Sequence, residues 1–194
     1  MRPELEHLPE PNWFWHGEQI LDLVERYRPI VCVELGTNRG CSAIATARVL
    51  RQWKGHLTCV YQWVPAGTLC SIDVLARNAI DAGVAVNLRL INAGTVAAAA
   101  WWSGLIDYLY IDADHTFDAV TADLEAWWPH LRIGGLIAGD DYEDPYDEEI
   151  PQNVTRAWDT FEAKYGQAFE RGISPGLAGA HGRPASRLIW GVKR

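Results

Sequence analysis

Cysteine is scarce in this chain and badly placed for a metal site. Cys32, Cys41, Cys59 and Cys70 form no Cys-x-x-Cys pair, and no Cys/His pair has ligand spacing. That excludes the common zinc patterns and leaves free thiols in a reducing compartment. Long apolar runs are missing as well. The longest uncharged stretch, residues 90–106, is interrupted by Asn92, Gly94, Thr95, Ser103 and Gly104, and a membrane span needs about 20 apolar residues. The N-terminus sets Glu4, Glu6 and Glu10 among prolines and has no basic segment leading into an apolar one, so a cytoplasmic protein is expected. Basic charge is short too. Lys and Arg number 17 against 25 Asp and Glu, a net charge of −8. That balance excludes sequence-independent nucleic-acid binding and docking on an anionic membrane.

What is present is an ordinary globular composition. Hydrophobic residues are 48% and charged residues 22% of 194, a length that predicts a single domain over 1–194 with residues 1–16 as an N-terminal arm. Ten tryptophans, including the pairs Trp101-Trp102 and Trp127-Trp128, read mainly as core or interface anchors. The aromatic arm Trp13-Phe14-Trp15 points to a lid or a partner surface, with a second copy of the chain as one candidate.

Strand-like and helix-like patterns alternate along the chain. Helices are predicted over 17–28, 41–53, 68–82, 95–102, from Phe117 along Val120, Leu124, Trp127 and Leu131, and over 152–165. Strands are predicted over 30–35, 57–63, 86–91 and 106–111, and from Leu136 after a break at Gly134-Gly135. Residues 168–171 and 187–192 read as a closing antiparallel pair. Such alternation means βαβ units and a parallel sheet covered on both faces. Ligands then bind outside the carboxyl ends of the strands.

Three groups fall at those ends. The first is Glu34-Leu35-Gly36-Thr37-Asn38-Arg39-Gly40-Cys41-Ser42, a strand, a glycine turn and a helix start. It is neither a GxGxxG turn nor a P-loop. The glycines allow a ligand close to the backbone, and a β-branched residue at Gly36 is expected to block that ligand while the fold survives. The strand-end acid suits an ammonium or hydroxyl groups. The second group is Asp112, Asp140 and Asp141, three carboxylates that adjacent parallel strands would gather. A hard cation, Mg²⁺, Mn²⁺ or Ca²⁺, is their natural neutraliser; a solvated acidic rim is the alternative. The third is His115, the one histidine at a predicted strand end and a candidate general base, or else a residue capping the next helix. The remaining histidines, His16 among them, read as surface or packing residues.

On these residues the sequence resembles a known group. VELGTNRGCSAIA looks like the first motif of class I S-adenosylmethionine-dependent methyltransferases. IDYLYIDADHTFDAVTADLEAWWPHLRIGGLIAGDDY is similar to the matching block of metal-dependent catechol- and macrocin-type small-molecule O-methyltransferases. The resemblance implies a Rossmann-like, doubly wound, mostly parallel seven-stranded sheet with a reversed last strand. It implies that Glu34, Gly36, Thr37, Asn38, Gly40 and Ser42 hold the methionine part of S-adenosylmethionine. Asp112, Asp140 and Asp141 would bind Mg²⁺, with Asp112 and His115 as the catalytic pair, on a small hydroxylated substrate such as a sugar or phenol. Two departures stand out. The ribose-binding acid after the second strand is replaced by Tyr61, followed by Gln62, and the acid of a Gly-Asp-Ser turn is lost in Asn92-Ala93-Gly94-Thr95. Tyr61, Gln62, Gly94 and Thr95 are therefore the candidates for the nucleoside. The same loss leaves room for a non-catalytic binding protein; a nicotinamide oxidoreductase is disfavoured by the missing GxGxxG.

Overall fold

The computed structural model describes residues 2–9, 14, 16–62, 71–143, 153–175 and 186–194. Seven strands form one sheet: β1 (Val31–Leu35), β2 (His56–Tyr61), β3 (Leu88–Asn92), β4 (Ile106–Ile111), β5 (Leu131–Tyr142), β6 (Phe169–Ile173) and β7 (Arg187–Lys193). Their order is β3-β2-β1-β4-β5-β7-β6. Strands β1 to β5 pair in parallel, and β7 lies antiparallel between β5 and β6. The expected doubly wound sheet with a reversed last strand is what the chain adopts.

Alternation along the strands divides the core in two. Cys32, Cys59, Tyr108, Tyr110 and Ala138 face α1 (Gly17–Tyr27), α2 (Cys41–Leu50) and α3 (Ile72–Asp81). Val33, Leu35, Val60, Leu109 and Ile137 face α4 (Thr95–Trp101), α5 (Phe117–Trp127) and α6 (Asn153–Tyr165). Trp127, Trp128 and Trp158 are buried there beside Phe161 and Phe169, as the reading of tryptophans as core anchors requires. Cys32, Cys41 and Cys59 are free thiols; Cys70 lies outside the described residues. Among the described residues, no helix is long and apolar enough to cross a membrane.

Two expectations about the chain ends and breaks need correction. Phe14 is buried, and residues 3–5 form a short helical turn held on α2, where the Arg48 guanidinium donates to the carbonyls of Glu4 and Glu6 at 2.9 and 2.7 Å. The arm's described part is thus a brace; Trp13 and Trp15 lie outside the described residues. The glycine pair 134–135 does not break the chain between helix and strand. It sits inside β5, where Gly134 takes φ +75° and the register against β4 shifts.

The order of strands reverses between β1 and β4, which opens a crevice at their carboxyl ends. The two ends touch closely. Asp112 N–H donates to the Leu35 carbonyl at 2.9 Å, and Gly36 N–H donates to Val60 at 2.9 Å. Gly36 has φ +94°, and a Cβ there would overlap the Asp112 carbonyl. So Gly36 is demanded by the sheet itself, and the expectation that a larger residue there spares the fold is wrong. Gly36→Ala should lower the melting temperature by roughly 5–12 °C, about 3 kcal/mol. A shift under 2 °C would mean that the two strand ends can part freely.

Candidate active site

The loops after β1, β2, β3 and β4 enclose a cavity of about 370 Å³. Gly36, Tyr61, Gln62, Gly94 and Thr95 line it, together with Ala93, Val96, Ala113, Asp114 and three residues of α5. Thus five of the ten candidate nucleoside- and methionine-binding residues share one cavity. Gly94 opens α4 with φ −62°, and a Cβ there would meet only Gln62 Oε1, at 3.8 Å. That is vacant space beside a glycine backbone, the place a planar ligand would fill.

The other five candidates lie in the turn from β1 to α2. Glu34 is buried and accepts a 2.8 Å hydrogen bond from the Ser42 hydroxyl. Burial pushes its carboxyl up to about 7, and the Ser42 bond pulls the other way. Thr37 is buried in the same turn and, like Ser42, pulls the Glu34 carboxyl back down. Asn38 takes φ +47° and Gly40 φ +91°, and a Cβ on Gly40 would overlap Leu75 of α3. The turn is therefore tight by necessity.

Beyond Gly36 lies a second group. Asp112, His115 and Asp141 each offer a ligand atom, all within 4.8 Å of one another. His115 Nδ1 is 3.2 Å from Asp141 and Nε2 is 3.5 Å from Asp112. The imidazole is pushed up, first by the Asp112 hydrogen bond and then by the charges around it. Burial raises the Asp112 and Asp141 carboxyls. The cap of α5 is Thr116, whose hydroxyl accepts from Ala119 N–H, so His115 is free of that structural duty.

Asp140 departs from the expected trio. Its Oδ2 accepts from the buried Tyr110 hydroxyl at 2.9 Å and its Oδ1 from Asp141 N–H at 2.9 Å. Neighbouring strand residues point to opposite faces, so a regular strand would separate Asp140 from Asp141. Here a register shift between Gly139 and Tyr142 and φ +55° at Asp141 swing Asp141 over His115. Asp140 stays on the Tyr110 face. Ser186 Oγ donates to Asp141 at 2.8 Å and fixes it there.

Two residues of the site escaped the sequence reading. His16 is completely buried, with Nε2 3.5 Å from Asp140 Oδ1. Burial lowers its pKa. No local pattern marks it, because it arrives from the arm. Asp123 of α5 lines the cavity and is buried. Its signal was readable: an acid standing between Val120 and Leu124 on an apolar helix face.

A family model described as a methyltransferase domain matches residues 33–142, more than half of the chain, from within β1 to the end of β5. The chain belongs to that family. The membership bears out the expected S-adenosylmethionine-dependent methyltransferase. No curated protein matches the sequence. Among solved structures, a protein from Klebsiella pneumoniae assigned provisionally as an O-methyltransferase is similar at TM-score 0.77 and 20% identity, covering 100% of this chain and 91% of its own. An O-methyltransferase from Bacillus cereus in complex with SAH is similar at 0.73 and 18%, covering 98% and 84%. The O-methyltransferase TomG from Streptomyces achromogenes, involved in tomaymycin synthesis and in complex with SAM, is similar at 0.72 and 16%, covering 92% and 79%. At these identities the likeness establishes the fold.

The cavity makes a sharper test at Gly94 than at Gly36. Gly94→Leu should leave the melting temperature within about 2 °C, because its backbone is ordinary and the space is open. It should weaken S-adenosylhomocysteine binding by calorimetry roughly tenfold or more; unchanged affinity would place the ligand elsewhere.

Glu34 makes a pH prediction. Its folded value, about 7, lies above the ordinary 4.5. The folded state therefore holds a proton that the unfolded chain has already released between those values, and stability falls as pH rises through that window. Glu34→Gln lacks the charge, so above pH 7 the ligand-free variant should be more stable by about 3 kcal/mol. Below pH 4.5 the gap should close. Parallel melting profiles from pH 4 to 8.5 would refute a buried, costly carboxylate.

Proposed function

We propose that this methyltransferase moves a methyl group from S-adenosylmethionine to the oxygen of a small hydroxylated molecule, a sugar or a phenol, with a divalent cation at Asp112 and Asp141. One observation carries the reading. The donor-sized cavity and the carboxylate–imidazole group open at the same sheet edge, separated only by Gly36 and the end of β4.

The chain's residues have clear duties in such a reaction. Glu34, with Ser42 behind it, would meet the donor's ammonium group, which would draw off the proton that burial otherwise keeps on the carboxyl. Gly94, Gln62 and Tyr61 would hold the nucleoside. Ala113 and Gly36 line the cavity beside Asp112 and would set the methyl-bearing end toward His115. In the transfer the acceptor oxygen forms the C–O bond as the C–S bond breaks, and the hydroxyl proton passes to His115 or to a carboxylate of the group. Positioning supplies much of the rate.

Two carboxylates and an imidazole suit a hard or borderline divalent cation. The nitrogen donor favours Mn²⁺ over Mg²⁺ or Ca²⁺. Such an ion, when bound, acidifies the accepting hydroxyl. His115 is poised to join it or to give way to it: the imidazole is held protonated by Asp112 and Asp141. It becomes a base only when those carboxylates have another positive partner. Asp140, held by the Tyr110 hydroxyl and by Asp141 N–H, would stand behind that group as a further negative charge beside the ion.

The acidic surface makes nucleic acid a poor acceptor, and the free thiols fit a reducing compartment such as the cytoplasm. The decisive experiment incubates the protein with S-adenosylmethionine and a panel of catechols and glycosides, with Mn²⁺, with Mg²⁺ or with chelator, and detects methyl ethers by mass spectrometry. Product that depends on the cation supports the reading, and Asp141→Asn should cut that dependence by on the order of tenfold. Equal product under chelator would remove the cation from the mechanism. No product, together with no binding of the methyl donor, would overturn the function.

A further inference from the structure

Resting on the donor reading above, we infer that Asp123 is the acid that recognises the nucleobase of the donor, accepting a hydrogen bond from the exocyclic amino group of its adenine.

Residues 120, 123, 124 and 127 fall on one face of α5, and Val120, Leu124 and Trp127 are buried against the sheet. Asp123 stands in that apolar stripe and is 2% exposed. A carboxylate in such a place costs stability unless it is paired. No salt bridge reaches Asp123 among the described residues. Oδ1 is buried with no hydrogen-bond partner among the described residues, and Thr95 alone among the neighbouring side chains pulls the raised carboxyl back down. An acceptor is thus held ready and unused.

Its surroundings say what for. Asp123 lines the same cavity as Gln62, Gly94 and Thr95. Ala119 and Ala122, also on α5, present only methyl groups to that cavity. Two alanines beside an open glycine make a slot for a flat ring, and the acid stands at its edge. The methionine side of the site is elsewhere, in the turn from Glu34 to Ser42. The positions from which an acid was expected, after β2 and after β3, carry Tyr61 and Asn92-Ala93-Gly94-Thr95. The cavity's buried carboxylate therefore comes from a helix on the far wall. An acceptor there distinguishes a 6-amino purine from a 6-oxo purine, whose ring N–H and carbonyl present the opposite pattern.

The test is calorimetric binding of S-adenosylhomocysteine and S-inosylhomocysteine, with no turnover involved. Wild type should prefer the adenosine form by roughly 10–100-fold, the worth of one hydrogen bond to a charged group. In Asp123→Asn the preference should collapse to within about threefold, because the amide can donate to a 6-oxo group. The melting temperature of the ligand-free variant should hold or rise, since a buried unpaired carboxylate is gone. Retained preference in Asp123→Asn, with S-adenosylhomocysteine still bound, overturns the role of Asp123 and leaves the donor reading intact. Failure of wild type to bind either compound overturns both. Should the variant fail to fold, the wild type alone decides: equal affinity for the two compounds overturns the inference, and a strong preference for the adenosine form supports it.

Discussion

No side chain fits between the end of β1 and the end of β4. Gly36 lies against the Asp112 carbonyl with φ +94°, and that contact fixes everything downstream. It keeps the Leu35–Asp112 backbone bond and so closes the sheet at its switch point. It also sets the turn from Glu34 to Ser42 on one side and the Asp112–His115 loop on the other. A methyl donor and an acceptor bound to those two loops, as proposed, would be brought together by one glycine. The usual account of such a glycine, that it lets a ligand approach, is secondary here: the backbone of the neighbouring strand already occupies the approach.

The glycine turn was legible in the sequence because strands and tight turns leave local signatures. Ile106–Ile111 was readable to the residue, since its apolar run is bounded by Gly104 and Asp112. The edge strand β3 was readable by alternation, which its half-exposed setting preserves. β5 was only half legible. Gly134 and Gly135 carry the mark of a break, yet the strand runs through them on a shifted register. The same strand hid the geometry of the acids. Consecutive residues such as Asp140 and Asp141 cannot both face Asp112 unless the strand departs from its regular period, and the departure at Asp141 has no sequence signature. His16 was hidden for another reason. It meets Asp140 through tertiary packing of the arm, about 124 residues away in the chain, and no periodicity spans such a distance.

The electrostatics of the site follow from burial. Glu34, Asp112, Asp123 and Asp141 are all pushed up, with desolvation the largest cause in each case. Each compensates differently. Glu34 has a hydroxyl from Ser42. Asp112 and Asp141 share an imidazolium. Asp123 has Thr95 beside it and an idle oxygen, Oδ1. A protein with this many raised carboxyls is built to be stabilised by what it binds, since a cation or donor that binds only the folded state adds its binding free energy to the fold. In the proposed reaction the ammonium of the donor, the amine of its base and a divalent ion would each meet an acid at its own point along the crevice.

That pattern bears on the acids that the sequence lacks after β2 and β3. Loss of an acceptor usually reads as loss of the ligand. In this chain an acceptor is still present in the cavity, carried by α5, where Ala119, Ala122 and Asp123 form one wall. The change of origin has a physical consequence. A strand-end acid sits on a loop that can shift with its neighbours, whereas Asp123 is fixed by a helix packed through Val120, Leu124 and Trp127, and Trp127 Nε1 in turn bonds the Thr95 carbonyl at 3.1 Å. Helix, indole and the start of α4 move together, so the acceptor and the glycine slot at Gly94 keep a fixed spacing. Recognition built this way depends on the packing of α4 against α5. A substitution in that seam, far from any reacting atom, should therefore alter base preference before it alters the chemistry at His115.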